Sequence, residues 1–246
     1  MLGLGDYTKA ALSCGGLYAA AHKAHWRLIA SRYRLLSPWN LEYSALFIHI
    51  PKTAGMTIHD LFGIEMPPRG PHIPAYAYRW VAPAFFDRAF KFAVVRNPWD
   101  RAVSAFHFLK EPRWPDDKVW SDRHLKGVDT FADFLEALRR PFFRNLVLSE
   151  LHFHPQVGFV ADLKGRLLVD QVIYYENLTE GLRRVAERLQ LALPEGGIEQ
   201  LNASERGDYR DYYDARGREL VGQMYARDIE TFGYQFEGAK RCPRKG

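Results

Sequence analysis

One lysine stands in a short segment that links an apolar run to a helical pattern. The segment is Ile50-Pro51-Lys52-Thr53-Ala54-Gly55-Met56-Thr57, and the apolar run of residues 45–50 predicts a buried strand. The spacing of Ile58, Leu61 and Phe62 predicts a helix behind it. A strand that ends in a tight loop and opens a helix favours an anion, because loop N–H groups and the helix dipole point at the same ligand.

Three side chains in this predicted loop strengthen the case for a phosphate-like ligand. Lys52 adds a full positive charge, and Thr53 and Thr57 add hydroxyl donors. The usual nucleotide P-loop pattern, G-x-x-x-x-G-K-[ST], is absent from the sequence. Taken alone, the segment also leaves open an ordinary strand–turn–helix connection with an exposed lysine.

A second candidate anion site follows the next apolar run. Phe90–Val95 predicts a buried strand that ends at Arg96, and Asn97 with Pro98 predicts a capped helix start. Ser104 lies about two helical turns further along. A guanidinium can bind a phosphate with its fork of donors, and a helix hydroxyl can share that phosphate. Two such sites at the carboxyl ends of parallel strands fit a ligand that carries phosphates at both ends.

Both segments resemble the motifs that bind 3′-phosphoadenosine-5′-phosphosulfate (PAPS) in carbohydrate sulfotransferases. The first extends from Phe47 to Gly55 and the second from Val94 to Phe106. The similarity is to the group that includes heparan sulfate 2-O- and chondroitin 4-O-sulfotransferases and bacterial relatives. Weaker similarities extend it over about residues 44–236; they lie at His154-Pro155-Gln156, Tyr175-Glu176-Asn177-Leu178, Leu201-Asn202-Ala203-Ser204 and Tyr225 to Tyr234.

The resemblance implies a role for each motif. It implies that the 5′-phosphosulfate of PAPS is held by the first loop, whose residues are Pro51, Lys52, Thr53, Ala54, Gly55, Met56 and Thr57. It implies that Arg96 and Ser104 hold the 3′-phosphate, and that Lys52 stabilises charge on the bridging oxygen as the sulfonate leaves. The implied activity is a PAPS-dependent O-sulfotransferase that transfers sulfonate in line and releases 3′,5′-ADP (PAP). Met56 departs from the family, which commonly has Thr there, so one hydroxyl contact is left open.

A hydroxyl acceptor also needs a base that takes its proton. His72 lies ahead of the second motif, in the place where the 2-O-sulfotransferase group has such a histidine. A neutral imidazole accepts a proton near neutral pH, so His72 is the predicted base. The sequence leaves other candidates open, namely His107, His152, His154 and Glu176, with a structural role favoured for His154.

The predicted fold is α/β, because candidate strands alternate with helical patterns. By the resemblance this is the three-layer, P-loop-like sulfotransferase fold with a central parallel sheet flanked by helices. We expect an N-terminal helical segment packed on the core over residues 1–43, a sulfotransferase domain over 44–236 and a disordered basic tail over 237–246. A third strand is predicted over 167–175, and a long surface loop over 111–127. Helices are predicted over 7–36, 75–81, 131–139, 182–191 and 219–232.

Composition narrows the class of protein and its partners. With 47% hydrophobic and 26% charged residues, the 246-residue chain is typical of a soluble globular protein. Its net charge of +5 is spread along the chain among nearly as many acids, which argues against a nucleic-acid-binding arm. No segment of the sequence predicts a transmembrane helix or a signal peptide, so we expect a cytoplasmic protein.

Cysteine and histidine spacing gives no metal-binding pattern. Cys14 and Cys242 are the only cysteines and stand near opposite ends. The pairs His22/His25 and His152/His154 have no acidic or thiol partner at ligand spacing in the sequence. We therefore expect no metal.

The acceptor is the least specified partner. The resemblance implies a hydroxyl in a carbohydrate-containing molecule, which aromatic and basic side chains of the 111–127 segment could bind: Arg113, Trp114, Lys118, Trp120, Arg123 and Lys126. An ordinary exposed loop is the alternative for this segment. For the whole chain, the alternatives are a non-catalytic module that binds nucleotide or glycan and, less favoured, a P-loop kinase.

Overall fold

The computed structural model describes residues 35–67, 70, 72–162, 164–193 and 207–239. These residues form two compact units. The sheet unit comprises the described residues of 35–96 and 156–193, and the helical unit comprises those of 97–155 and 207–239. The predicted helix over 7–36 lies outside the described residues up to position 34, and Leu35 and Leu36 are not helical.

The described elements follow one another in this order: α1 Pro38–Tyr43, β1 Ala45–Ile48, α2 Gly55–Phe62, α3 Ala75–Val81, α4 Pro83–Arg88, β2 Phe90–Val95, α5 Pro98–Lys110, α6 Pro115–His124, α7 Phe131–Leu138, α8 Pro141–Ser149, α9 Val157–Val160, β3 Gln171–Tyr174, a 3₁₀ turn Tyr175–Asn177, α10 Leu178–Leu189, a 3₁₀ turn Tyr209–Tyr212, α11 Ala215–Met224, α12 Ala226–Phe232, β4 Tyr234–Gln235 and β5 Gly238–Ala239.

The sheet unit is built on a parallel sheet in the order β1-β2-β3. Phe47 of β1 pairs with Phe92 of β2, and Val94 of β2 pairs with Ile173 of β3. Every residue of β1 and β2 is buried, as expected for parallel strands covered on both faces. Helix α1 packs beside β1 and helix α10 beside β3. The predicted α/β fold with a parallel sheet flanked by helices is confirmed.

The helical unit packs its helices around an aromatic core. Phe106 of α5, Phe134 of α7 and Phe153 are buried together with Tyr225, which lies between α11 and α12. The hydroxyl of Tyr225 donates to the carbonyl of Phe153 over 2.8 Å, so its buried polar atom is satisfied. Helix α11 packs against α5 and α7.

Local sequence patterns predicted the bounds of some helices and strands correctly and those of others incorrectly. The observed bounds of β2 and α3 are those predicted, and β1 and β3 are shorter than predicted. The surface loop predicted over 111–127 is wrong, because it contains helix α6. Pro115 at the first helical position, acids in the first turn and an i,i+4 pair between Lys118 and Asp122 explain that helix.

The predictions near the C-terminus also need correction. The single helix predicted over 219–232 is two helices, α11 and α12, which meet at the buried Tyr225. Strand β5 pairs antiparallel with β4 inside the stretch predicted as a disordered tail, and residues 240–246 lie outside the described part. Among the helices that the structure describes, none is both long and apolar enough to cross a membrane.

The close packing of α10 on β3 yields a prediction for stability. A Cβ added to Gly181 would lie 2.2 Å from Cγ2 of Ile173. Because isoleucine is branched at Cβ, its χ1 angle is restricted and this methyl group cannot rotate out of the way. Replacing Gly181 by Ala should lower the free energy of unfolding by about 1–2 kcal/mol, because overpacking outweighs the gain in helix propensity. Urea denaturation measures this change.

The control for this prediction is the same change in an Ile173→Ala background. There only Cβ of residue 173 stays close, 3.1 Å from the added methyl group in the present structure, so Gly181→Ala should cost less than in the wild type. An equal loss of stability in both backgrounds would contradict the packing explanation.

Candidate active site

The loop between β1 and α2 has an uncommon backbone. Lys52 has φ 69° and Ala54 has φ 64°, so two non-glycine residues adopt the left-handed conformation. Each such residue costs about 1–3 kcal/mol, and this kind of strain concentrates where a protein binds ligands. Left-handed residues placed between others turn successive N–H groups toward one side, which forms a concavity suited to an anion.

Helix α2 begins at the end of this loop. Its N-cap, Ala54, offers no side chain to bond the N–H groups of the first turn. A Cβ on Gly55 would lie 1.8 Å from Nε2 of His49, so only glycine fits there. The Met56 side chain is 48% exposed. Because a backbone N–H does not depend on the side chain, Met56 in place of Thr removes a hydroxyl and keeps the backbone donor.

Thr53 stabilises the loop from inside. Its side chain is fully buried, and its hydroxyl donates to the carbonyl of Ile50 over 2.8 Å. We expected this hydroxyl to act as a donor to a ligand, but in this structure its hydrogen is used within the loop. Thr53 therefore contributes through the conformation it holds, and Thr57, which is half-buried on the first turn of α2, remains the candidate hydroxyl donor.

Arg96 lies next to this loop. It directly follows β2, is only 6% exposed, and its Nη1 donates to the carbonyl of Lys52 over 3.2 Å. The guanidinium carbon also lies 4.1 Å from the centroid of the Tyr175 ring, a cation–π contact. The structure thus brings the ends of β1 and β2 together and places the two predicted cations, Lys52 and Arg96, on neighbouring segments.

The backbone of Arg96 is held by a residue that the sequence did not single out by itself. The Arg96 N–H donates to Oε1 of Gln156, and Nε2 of Gln156 donates to the Arg96 carbonyl, each over 2.9 Å. The Gln156 side chain is fully buried. The only sequence signal for it was the weak similarity of His154-Pro155-Gln156 to a family element.

His72 has a defined tautomer. Its Nδ1 lies 3.1 Å from the carbonyl oxygen of His49. Since a carbonyl only accepts, Nδ1 must carry the hydrogen, and the lone pair that can take a proton is on Nε2. The ring of His72 lies 4.3 Å, centroid to centroid, from that of His49, the residue between β1 and Ile50 of the anion loop. The predicted base therefore contacts His49, the residue that immediately precedes Ile50.

Two further histidines support this region from the interior. His49 and His59 are both buried, and their ring centroids are 5.2 Å apart. Nδ1 of His59 bonds the carbonyl of Ile64 over 2.8 Å. Burial lowers the pKa of His59 despite this hydrogen bond. His59 is thus a neutral packing residue beside the buried ring of His49.

The other candidate bases differ in their surroundings. His154 bonds the carbonyl of Leu148 through Nδ1 over 3.3 Å, and its own carbonyl accepts from Arg101 over 2.8 Å. Burial lowers the pKa of His154 to about 4. A group that binds protons so weakly is a poor base near neutral pH, so these contacts favour the structural role. His107 and Glu176 are both exposed.

Ser104 belongs to the helical unit. It lies half-buried on α5, the helix that begins two residues after Arg96. Its predicted role in phosphate binding stays a prediction.

The two tryptophans proposed for acceptor binding differ in their exposure. Trp114 is 62% exposed just before α6, whereas Trp120 is buried in the core of the helical unit. Trp120 is therefore not a surface platform for a sugar. Lys118 is exposed and pairs with Asp122 on the same helix.

A cluster in the helical unit corrects one step of the sequence reasoning. His152 has two acidic partners there, since its Nδ1 lies 3.2 Å from Oε1 of Glu150 and 3.8 Å from Oδ1 of Asp117. Among the residues that the structure describes, these three form the one group whose geometry could hold a metal ion. Burial alone would raise the pKa of Glu150, but His152 lowers it below its usual value overall. These are contacts between a buried histidine side chain and a buried carboxylate, and our expectation of no metal stays a prediction.

Comparison with models of protein families finds a match to this chain. Residues 76–235, well over half of the chain, match the model described as the Sulfotransferase family. The matched stretch includes Arg96, Ser104 and Gln156 and begins after the Lys52 loop and His72. No curated protein and no solved structure matches the chain.

The pKa of His154 leads to a prediction about acid stability. The unfolded chain protonates this histidine near its ordinary pKa of 6.5, and the folded chain only near 4. The unfolded state thus binds the extra proton between these values, so stability is lost as pH falls from about 6.5 to about 4. The loss that His154 causes should reach up to about 3 kcal/mol.

The variant His154→Asn isolates this effect, because its amide can still donate to the Leu148 carbonyl. Denaturant unfolding at pH 7, 5.5 and 4 should show that the wild type loses more stability on acidification than the variant. Parallel pH profiles for the two proteins would show that His154 does not have this lowered pKa.

Proposed function

Because the chain belongs to the sulfotransferase family, we propose that it transfers the sulfonate of PAPS to a hydroxyl of a carbohydrate-containing acceptor and releases PAP. The observation that carries this proposal is the contact between Arg96 and the strained Lys52 loop, 3.2 Å from Nη1 to the Lys52 carbonyl. It supports one continuous cationic site for a ligand with two anionic ends.

We assign the 5′-phosphosulfate end to the loop Pro51 to Thr57. Its left-handed residues, the start of α2 and the charge of Lys52 all favour an anion. The 3′-phosphate is assigned to Arg96, because a guanidinium presents a planar fork of N–H donors that matches the geometry of a phosphate. Participation of Ser104 remains the prediction from the resemblance.

The reaction follows from these assignments. The acceptor oxygen attacks the sulfur and forms a new S–O bond, while the bond from sulfur to the bridging phosphate oxygen breaks. The electron pair stays on that oxygen, where the ammonium group of Lys52 stabilises the developing negative charge. The acceptor proton passes to Nε2 of His72, whose Nδ1–H is oriented by the His49 carbonyl. PAP then leaves.

The acceptor class is proposed on narrower grounds. The resemblance is to carbohydrate sulfotransferases. The exposed ring of Trp114 could stack on a sugar, and the guanidinium of Arg113 beside it could pair with the carboxylates of that sugar. The cytoplasmic location inferred from the sequence stays a prediction.

Nucleotide binding tests the donor assignment. Titration calorimetry should find that PAP binds at least about tenfold more tightly than either ATP or 5′-AMP, because a charge-assisted bond from Arg96 to the 3′-phosphate contributes about 1.5–3 kcal/mol. The variant Arg96→Lys, which lacks the planar fork, should lose most of this preference. Equal affinities of the wild type for PAP and ATP would refute the PAPS assignment and favour a kinase-like nucleotide site.

Transfer activity tests the base. Incubation with PAPS and a panel of glycans and glycoconjugates should add the mass of one sulfonate to at least one panel member. On that acceptor, His72→Asn should reduce kcat by about 10²–10⁴-fold, because the amide keeps the bond to His49 but has no basic nitrogen. The affinity for PAP should stay unchanged.

The matched control is His107→Asn, which should keep full activity. Loss of transfer in His107→Asn with normal transfer in His72→Asn would move the base to His107. PAP binding without transfer to any panel member would instead favour the non-catalytic alternative.

A further inference from the structure

Arg96 lies just past the end of β2, at a position where the neighbouring strands have also ended. The register of β1 and β2, counted three residues past the pair Ile48 and Ala93, puts Pro51 opposite Arg96. The register of β2 and β3, counted one residue past the pair Val95 and Tyr174, puts Tyr175 there. Proline has no N–H to donate, and Tyr175 begins a 3₁₀ turn, so neither neighbouring strand continues beside Arg96.

Gln156 takes the place of a strand at this position. Its side-chain amide both accepts from the N–H and donates to the carbonyl of Arg96, as a residue of an antiparallel partner strand would. The two residues are 60 positions apart in the chain. Gln156 is 0% exposed, so an Arg96 backbone group that lost its partner here would remain without water. The pair therefore fixes the backbone from which the Arg96 side chain leaves.

The other end of the same side chain is held as well. The guanidinium stacks at 4.1 Å on the Tyr175 ring and bonds the Lys52 carbonyl. A long arginine side chain otherwise loses about 2 kcal/mol of rotamer entropy when a ligand fixes it. Holding it at both ends before the ligand arrives removes much of that cost.

We infer that Gln156 and Tyr175 are positioning residues, which hold Arg96 for the 3′-phosphate and thereby set the preference for a nucleotide that carries this phosphate. This inference rests on the proposed function, since it takes Arg96 as the 3′-phosphate ligand. It predicts that changes at these residues weaken binding of PAP and leave binding of 5′-AMP, which lacks the 3′-phosphate, unchanged.

The test compares the affinities of PAP and 5′-AMP for the full chain by calorimetry. Gln156→Glu has the same shape, but its carboxylate cannot donate to the Arg96 carbonyl. Gln156→Met removes both bonds without adding charge. In each variant PAP should bind at least about tenfold more weakly, while 5′-AMP binds as to the wild type. The ratio of the two affinities is a readout that general destabilisation does not move.

Tyr175 gives an independent second test. Tyr175→Leu removes the ring below the guanidinium and should reduce the preference for PAP severalfold, whereas Tyr175→Phe keeps the ring and should retain it. This arm decides the inference if the Gln156 variants do not fold: an unchanged preference in Tyr175→Leu would overturn it.

The outcomes separate this inference from the proposed function. A wild type that binds PAP and 5′-AMP equally would refute the donor assignment itself. A wild type that prefers PAP, together with Gln156 variants of unchanged preference, would refute the positioning role and leave the donor assignment standing. Equal weakening of both nucleotides in the Gln156 variants would show a structural role only and would also overturn the inference.

Discussion

The parallel pairing of β1 with β2 brings the carboxyl ends of two buried strands to the same edge of the sheet. Backbone groups at such an edge lose their strand partners and must find others or face a ligand. In this protein β1 is followed by the strained Lys52 loop and β2 is followed by Arg96, and a hydrogen bond joins the two segments. The candidate site depends on this pairing, because it is the reason that two cations from distant parts of the chain lie on adjacent segments.

The strain in the loop is tolerable only because its surroundings hold it. The buried hydroxyl of Thr53 closes the turn onto Ile50, and the missing side chain of Gly55 lets α2 start against the ring of His49. Both contacts join residues that are close in sequence, yet their partners, Ile50 and His49, are buried residues that directly follow β1. A loop held in this way keeps its N–H groups oriented before an anion binds, which lowers the entropic cost of binding. The same logic applies to Arg96, which is held at its backbone and at its guanidinium.

The histidines show how surroundings separate residues of one type. His72 is half-buried with its Nδ1–H committed to a carbonyl, which leaves proton acceptance to Nε2. His154 lies where burial disfavours its charged form, and Nδ1 of His152 lies 3.2 Å from a carboxylate oxygen of Glu150. The sequence offered all three as candidate bases, with His72 preferred, and the structure shows that they differ in desolvation and in hydrogen-bond partners.

The sequence by itself determined where β1 and β2 lie and predicted an anion site in the segment that follows β1. Continuous apolar runs place β1 and β2, and a lysine between strand and helix predicts an anion site, because these signals act over a few neighbouring residues. Composition alone misplaced α6, since its polar residues resemble a loop while its capping and i,i+4 pairs make a helix. Only the tertiary structure decided how Arg96 is held. Its partner Gln156 is 60 residues away, and such a hydrogen bond exists only once the chain has folded and excluded water from both groups.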